Sequence, residues 1–224
     1  MLAGAISGLA PGAELVLATV PDQAIGLHAG TIADAVDWLL TQTTSNPRLG
    51  QAVAGGCDII NISRVISTPG IYDGSLYQLL LEAGTVYGTL VVAGSGNSGS
   101  VDKGQCPGAY DCVLSVGAVT SQDVVFGSAW GTVLVPATGP GVAVARPDLV
   151  APGQGLNQPT ATGSMTRGGT SFATALVTGA AALALQKDAA LIGKPTAIKN
   201  RLTSLARGGP KPKWGAGVLD LTNL

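Results

Sequence analysis

The stretch Gly168-Gly169-Thr170-Ser171-Phe172-Ala173-Thr174-Ala175-Leu176-Val177-Thr178-Gly179 constrains this chain more than any other. Two glycines and a threonine lead into a serine, and a nearly unbroken apolar run follows from Ala173 to Leu185. Glycines ahead of such a run mark a tight turn into a buried helix. Ser171 then falls at the helix N-terminus, where unpaired N–H groups and the helix dipole favour negative charge. A hydroxyl there has two uses. It caps the helix, or it is a nucleophile whose oxyanion is held by its own backbone N–H. Residue types alone leave both open, and capping is the commoner use.

A buried helix needs a large core to enter. The chain has 224 residues, 46% of them hydrophobic, 11% charged and 33 glycine, which predicts one domain with many tight turns. Its net charge of −1 speaks against a nucleic-acid or anionic-membrane partner. The Ala173–Leu185 run falls short of the roughly 20 residues of a membrane span. No signal-peptide pattern is visible from Met1.

Strand and helix patterns alternate along the chain. Glu14–Val20, Cys57–Ser63, Thr89–Ala93 and Val113–Val119 are short apolar runs, as expected of strands covered on both faces. Between them, Thr31 opens a helix with Ile32, Val36, Leu39 and Leu40 on one face, and Thr31 with Asp34 resembles a capping box. Tyr72–Gly84 forms a second helix, facing inward with Leu76, Leu79, Leu80 and Ala83. Pro195 suits the first turn of a helix through Leu205. Phe126–Ala145 reads as a surface hairpin or loop. The fold class is therefore α/β, a three-layer sandwich on a mostly parallel central sheet. Active sites of such sheets lie at the strand carboxyl ends, where Ser63, Asn97 and the turn before Ser171 all fall.

Gly94-Ser95-Gly96-Asn97-Ser98-Gly99 spells G-x-G-x-x-G after a strand. A dinucleotide site needs a helix to open at those glycines, but Ser100–Gly108 has the Asp, Gly and Pro content of a loop. A nicotinamide oxidoreductase is therefore disfavoured. Asn97 beside glycine is also an ordinary turn residue. Cys57, Cys106 and Cys112 include no C-x-x-C pair, and one histidine accompanies them, so no metal is expected. Cys57 reads as a buried thiol, while Cys106 and Cys112 either bridge, implying an oxidising compartment, or stay free. His28, the single histidine, reads as a loop imidazole in solvent rather than a general base.

Gly-Thr-Ser-Phe-Ala running into Val177-Thr178-Gly179-Ala180-Ala181-Ala182-Leu183 resembles the serine-nucleophile motif of the subtilisin-like serine peptidases, the subtilases. Ala175 stands where that family usually has proline. Leu2-Ala3-Gly4 with Pro11 is similar to the segment after the family's catalytic histidine, and Cys57–Ser63 to the strand ending Asn-Met-Ser. Ala93-Gly94 with Asn97 resembles the Ala-Gly-Asn strand end, and Pro147-Asp148-Leu149-Val150-Ala151-Pro152-Gly153 the segment leading to the nucleophile turn.

The resemblance implies peptide-bond hydrolysis through an acyl-enzyme on Ser171, with Asn97 in the oxyanion hole. It implies a substrate cleft walled by Ser63, Arg64 and Val65 and by Ala93, Gly94 and Ser95, with the His28 loop beyond. Arg64 and Val65 depart from the apolar residue and glycine usual there. Asp148 reads as structural, with no imidazole to orient. By the same resemblance the catalytic histidine falls just before Met1 and the aspartate further upstream, so residues 1–224 form a peptidase domain incomplete at its N-terminus and inactive alone. No cofactor is expected, and no calcium loop, because Gly4–Pro11 is short and lacks a carboxylate. The expected partners are a peptide or protein substrate and a segment or separate chain supplying Asp and His. A secreted or extracytoplasmic location is preferred, the compartment being otherwise open. The alternative is a non-catalytic subtilase-like module that binds peptides or a partner.

Overall fold

A computed structural model describes residues 2–20, 29–41, 56–66, 73–99, 105–122, 127–135, 142–160 and 163–224. In chain order the elements are α1 (Leu2–Leu9), α2 (Ala29–Thr41), β1 (Ile59–Ile62), α3 (Gly74–Thr85), β2 (Leu90–Gly94) and β3 (Leu114–Val119). There follow β4 (Gly131–Val135), β5 (Val142–Arg146), β6 (Leu149–Pro152), β7 (Leu156–Thr160) and β8 (Gly163–Arg167). The chain closes with α4 (Thr170–Lys187), α5 (Pro195–Ser204), β9 (Ala206–Arg207) and β10 (Val218–Leu219).

Six strands form one sheet in the order β1-β2-β3-β6-β10-β9, and every pairing in it is parallel except β10 with β9. Strand alternation sends side chains to two helical layers. Ile60, Ile62 and Val91 pack with Ile32, Val36 and Leu40 of α2 and Leu76 and Leu80 of α3. Leu90, Val92, Leu114, Val116 and Leu149 pack on the other face with Ala173, Val177 and Ala181 of α4 and Ile198 and Leu202 of α5. This is the three-layer α/β sandwich expected. β4 with β5, and β7 with β8, form separate two-stranded antiparallel ladders. The first lies within the stretch read as a hairpin or loop.

α4 is surrounded by protein over most of its length, with Thr170, Ala173, Thr174, Ala175, Val177 and Ala180 all nearly inaccessible. Its apolar residues therefore run without amphipathic period. α3 is capped by Asp73, whose carboxylate accepts from Leu76 N at 2.8 Å. Pro195 occupies the first turn of α5, where a missing N–H costs nothing.

Two local expectations are corrected. Glu14–Val20 is not a strand, because no strand among the described residues offers it a hydrogen-bond ladder, and Leu17 is 69% exposed. Thr31 does not cap α2, which already begins at Ala29, so Thr31 and Asp34 both lie inside the helix. All three thiols are free. No helix opens at Gly94–Gly99 among the described residues, so the phosphate-binding geometry of a dinucleotide fold is missing there. No described helix is long and apolar enough to cross a membrane.

Buried charge gathers at one place. Arg146, 2% exposed, donates from its guanidinium to Asp148 at 2.7 Å and to the carbonyls of Tyr110 at 2.6 Å and Ala109 at 3.4 Å. Asp148 also accepts from Ser115 N at 2.7 Å and pairs with Lys199 at 3.0 Å. The network ties β3, the end of β5, α5 and the 105–112 turns together, and Asp148 is fully engaged in it.

Candidate active site

Parallel strands bring their carboxyl ends to one rim, and the start of α4 lies against that rim. β1 and β2 run side by side, with Ile62 in register with Ala93. Ser63 follows β1, and Ser95 to Asn97 follow β2. The turn Gly168-Gly169 meets both.

Gly169 has φ of 132°, a conformation that favours glycine, and a Cβ there would stand 3.2 Å from Asn97 Oδ1. Gly94 is needed for a different reason. A Cβ on it would come within 3.0 Å of Thr170 Oγ1. Glycine at both places lets the helix start rest directly on the end of β2.

Ser171 is not the helix cap. Gly169 occupies that position and has no side chain with which to cap. The capping oxygen comes instead from across the rim. Asn97 Oδ1 accepts from Thr170 N at 2.9 Å and from Thr170 Oγ1 at 3.1 Å. Because a backbone N–H only donates, the amide oxygen must face Thr170, and the Nδ2 donors are turned away from it. The Asn97 backbone is held in turn by Gln105 Oε1, which accepts from Asn97 N at 3.0 Å. Thr170 N is thus satisfied and Phe172 N donates to Gly169 O at 3.1 Å, while the Ser171 N–H donates to no protein acceptor among the described residues. One open backbone donor therefore sits at Ser171, in the first turn of α4.

The Ser171 hydroxyl donates to the Ser63 carbonyl at 3.0 Å, and the Ser63 hydroxyl donates to the Ser171 carbonyl at 3.0 Å. Behind this pair, Asn61 Nδ2 donates to Ser63 Oγ at 3.0 Å, and Thr178 Oγ1 donates to Asn61 Oδ1 at 3.0 Å.

The Subtilase family model (Peptidase_S8) matches residues 1–217. The chain belongs to the subtilase family. Subtilisin DY of Bacillus licheniformis is 28% identical to it over 222 residues, covering 96% of this chain and 69% of its own. Among solved structures, the prenylagaramide maturation protease PagA is 25% identical with a TM-score of 0.66, matching 89% of this chain and 67% of that one. MycP1 with its N-terminal propeptide removed is 26% identical with a TM-score of 0.61, over 86% of this chain and 64% of that one. The chain thus spans about two thirds of the length of these relatives. Family and fold are those of subtilisin-like serine peptidases.

In this subtilase, Ser171, Asn97 and Ser63 come together at the rim. Ser171 and Ser63 are half-buried, and Asn97 and Arg64 are exposed. Val65 is half-buried beyond Arg64. Ala93, Gly94 and Ser95 are buried at the end of β2, and the Ser95 hydroxyl has no hydrogen-bond partner among the described residues. His28 lies outside the described residues, so no imidazole is present among those described. Asp148 is held by Arg146, Lys199 and Ser115 N, as its structural reading requires. No cluster of three or more His, Cys, Asp or Glu that could hold a metal occurs among the described residues.

Sequence reading passed over Asn61 and the threonines of α4. Their signal was there. Asn61 and Ser63 alternate on one face of an otherwise apolar strand, and Thr170, Thr174 and Thr178 repeat every four residues along an apolar helix. The two stripes meet where Thr178 donates to Asn61, while the Thr174 and Thr178 hydroxyls also donate to carbonyls one turn back in α4.

Proposed function

We propose that the chain is the nucleophile-bearing part of a subtilisin-type serine peptidase. Ser171 attacks the scissile carbonyl and carries the acyl group. The Ser171 N–H and Asn97 Nδ2 hold the oxyanion. Substrate backbone lies along Ser63–Val65 on one side and along the end of β2, Ala93–Ser95, on the other. The substrate is a peptide or protein. The general base and its orienting acid come from outside residues 1–224, on a further segment or a separate chain, and residues 1–224 alone turn over little or no substrate.

The observation carrying this reading is the Asn97 bond to Thr170. It turns the amide donors away from the Thr170 N–H, and the neighbouring Ser171 N–H donates to no described acceptor, which supports a role for both in holding an oxyanion. A peptide boronate tests it. A tetrahedral adduct on Ser171 is expected by boron NMR, absent in Ser171→Ala and weakened in Asn97→Ala. Loss of one such donor in a subtilisin costs about 10²–10³ in rate. No adduct on the intact chain would overturn the reading.

A second reading has its own support. The Ser171 hydroxyl is parked on a backbone carbonyl, which cannot act as a base at neutral pH. A non-catalytic peptide-binding module would look the same. It binds unmodified peptide as well after Ser171→Ala and forms no boronate adduct.

A further inference from the structure

We propose that Gln105 is a positioning residue for the oxyanion hole. Its side-chain amide fixes the backbone of Asn97, so that the Asn97 Nδ2 donors stay aimed at the developing charge. This deepens the peptidase reading and rests on it.

The chain leaving β2 has little to hold it. Gly96 and Gly99 lie on either side of Asn97 with φ of 107° and 66°, in a region of backbone space that glycine enters freely. Residues 97–99 are exposed. The two glycines are tied down, since Ala129 N donates to Gly96 O and Gly99 N donates to Gly127 O, each at 2.9 Å. Neither bond reaches Asn97 itself. Its backbone N–H donates to one acceptor among the described residues, Gln105 Oε1 at 3.0 Å.

The base of this strut is rigid. Gln105 opens a turn closed by Ala109 N donating to Gln105 O at 3.1 Å, and residues 106–110 are buried. Ile66 N donates to Cys106 O at 2.9 Å, which joins the turn to the chain beyond β1. Gln105 N donates to Ser95 O at 3.4 Å, so its main chain and its side chain grip the end of β2 at two residues. Gly96 lies between them, and a Cβ there would collide with the Gln105 amide.

Asn97 is thereby pinned at both ends. Gln105 holds its backbone, while Thr170 N and Thr170 Oγ1 donate to its Oδ1 at 2.9 Å and 3.1 Å. With both ends fixed, the direction of the Nδ2 donors is set before any charge develops, which is the condition for electrostatic stabilisation without reorganisation. Losing Gln105 frees one end. Asn97 still caps α4, but its donors are no longer held on one line.

A double-mutant cycle on residues 1–224 tests this with two probes. Acetyl-Ala-Ala-boroPhe forms a charged tetrahedral adduct, whereas acetyl-Ala-Ala-Phe-amide binds without one. Gln105→Met keeps the side-chain length and loses the amide. It is expected to weaken the boronate about tenfold, since misplacing a catalytic group by about 1 Å costs up to roughly 10²-fold. Binding of the carboxamide is expected to stay at the parent value, because that probe develops no charge. In an Asn97→Ala background, Gln105→Met is expected to cost no further boronate affinity, because a residue acting through another is not additive with it. Gln105→Ser, too short to reach Asn97, is expected to match Gln105→Met. Amide hydrogen exchange read by NMR needs no probe: Asn97 N–H is expected to exchange fast in Gln105→Met and at the parent rate in Gln105→Glu, which restores an oxygen acceptor. Four results would overturn the role of Gln105 and leave the peptidase reading standing: parent boronate affinity in both Gln105→Met and Gln105→Ser, equal weakening of both probes, the same loss in the Asn97→Ala background, or slow Asn97 exchange in Gln105→Met. No adduct on the parent chain would overturn the reading and this role together.

Discussion

The hydroxyl of Ser171 donates to the backbone carbonyl of Ser63 at 3.0 Å, and the hydroxyl of Ser63 returns a bond of the same length to the carbonyl of Ser171. This reciprocal pair clamps the start of α4 to the end of β1. It satisfies the serine without activating it, because a carbonyl accepts a hydrogen bond but does not take the proton.

The pair has unequal members. Ser171→Ala removes one donor, whereas Ser63→Ala also strips the acceptor used by Asn61. Urea unfolding should show Ser171→Ala within about 1 kcal/mol of the parent and Ser63→Ala about 1–2 kcal/mol less stable. Equal losses would mean that the Asn61 bond to Ser63 contributes nothing.

Variants of Asn97 separate its capping of α4 from its proposed oxyanion role. Asn97→Ala leaves Thr170 N without an acceptor at the helix start and is expected to cost about 1–2 kcal/mol. Asn97→Asp keeps the acceptor and loses the Nδ2 donors. It should retain most of the stability and still lose boronate affinity. A stable Asn97→Asp variant with full affinity would remove Asn97 from the oxyanion hole.

The network around Asp148 is expected to govern folding rather than chemistry. Asp148→Ala leaves the guanidinium of Arg146, which is 2% exposed, with the Tyr110 and Ala109 carbonyls but without its paired carboxylate, and breaking such a buried pair costs about 3–5 kcal/mol. Thermal unfolding of the variant measures it. A loss below about 1 kcal/mol would mean that the Tyr110 and Ala109 carbonyls suffice for Arg146.

Thiol titration gives a pH signature. Burial and the neighbouring Asp111 carboxylate push Cys112 up to about 12 from its ordinary value of 9.0. Unfolded chain then loses the Cys112 proton near pH 9.0 while folded chain keeps it, so this group lowers stability as pH rises from 9.0 towards 12. Below that window it has no effect. At pH 8 about one Cys112 in 10⁴ is thiolate, so its alkylation should be slow and climb about tenfold per pH unit. Alkylation at the rate of a free cysteine at pH 8 would contradict the burial.

The sheet was legible because its strands carry their own pattern. Cys57–Ser63, Thr89–Ala93 and Val113–Val119 are apolar on both faces, and helices cover both faces of the sheet they form. The glycines before Ser171 likewise announced the turn into α4. Glu14–Val20 has the same pattern but forms no strand, since a ladder needs a neighbour and composition does not record whether one is present. The capping of α4 was illegible for a related reason. The sequence around Ser171 suggests a local cap, but the cap comes from Asn97, 73 residues away from Thr170. Thr31 looked like a helix start because it precedes an apolar face, yet α2 already begins at Ala29.

Labelling by a fluorophosphonate, followed by peptide mapping, tests most directly whether Ser171 is a nucleophile lacking its base. Residues 1–224 are expected to label at Ser171 alone, at least about 10³-fold slower than a complete serine peptidase, because triad members act as a unit. Added imidazole should speed that labelling by supplying a base. Labelling at the full protease rate without imidazole, or at a serine other than Ser171, would contradict the account.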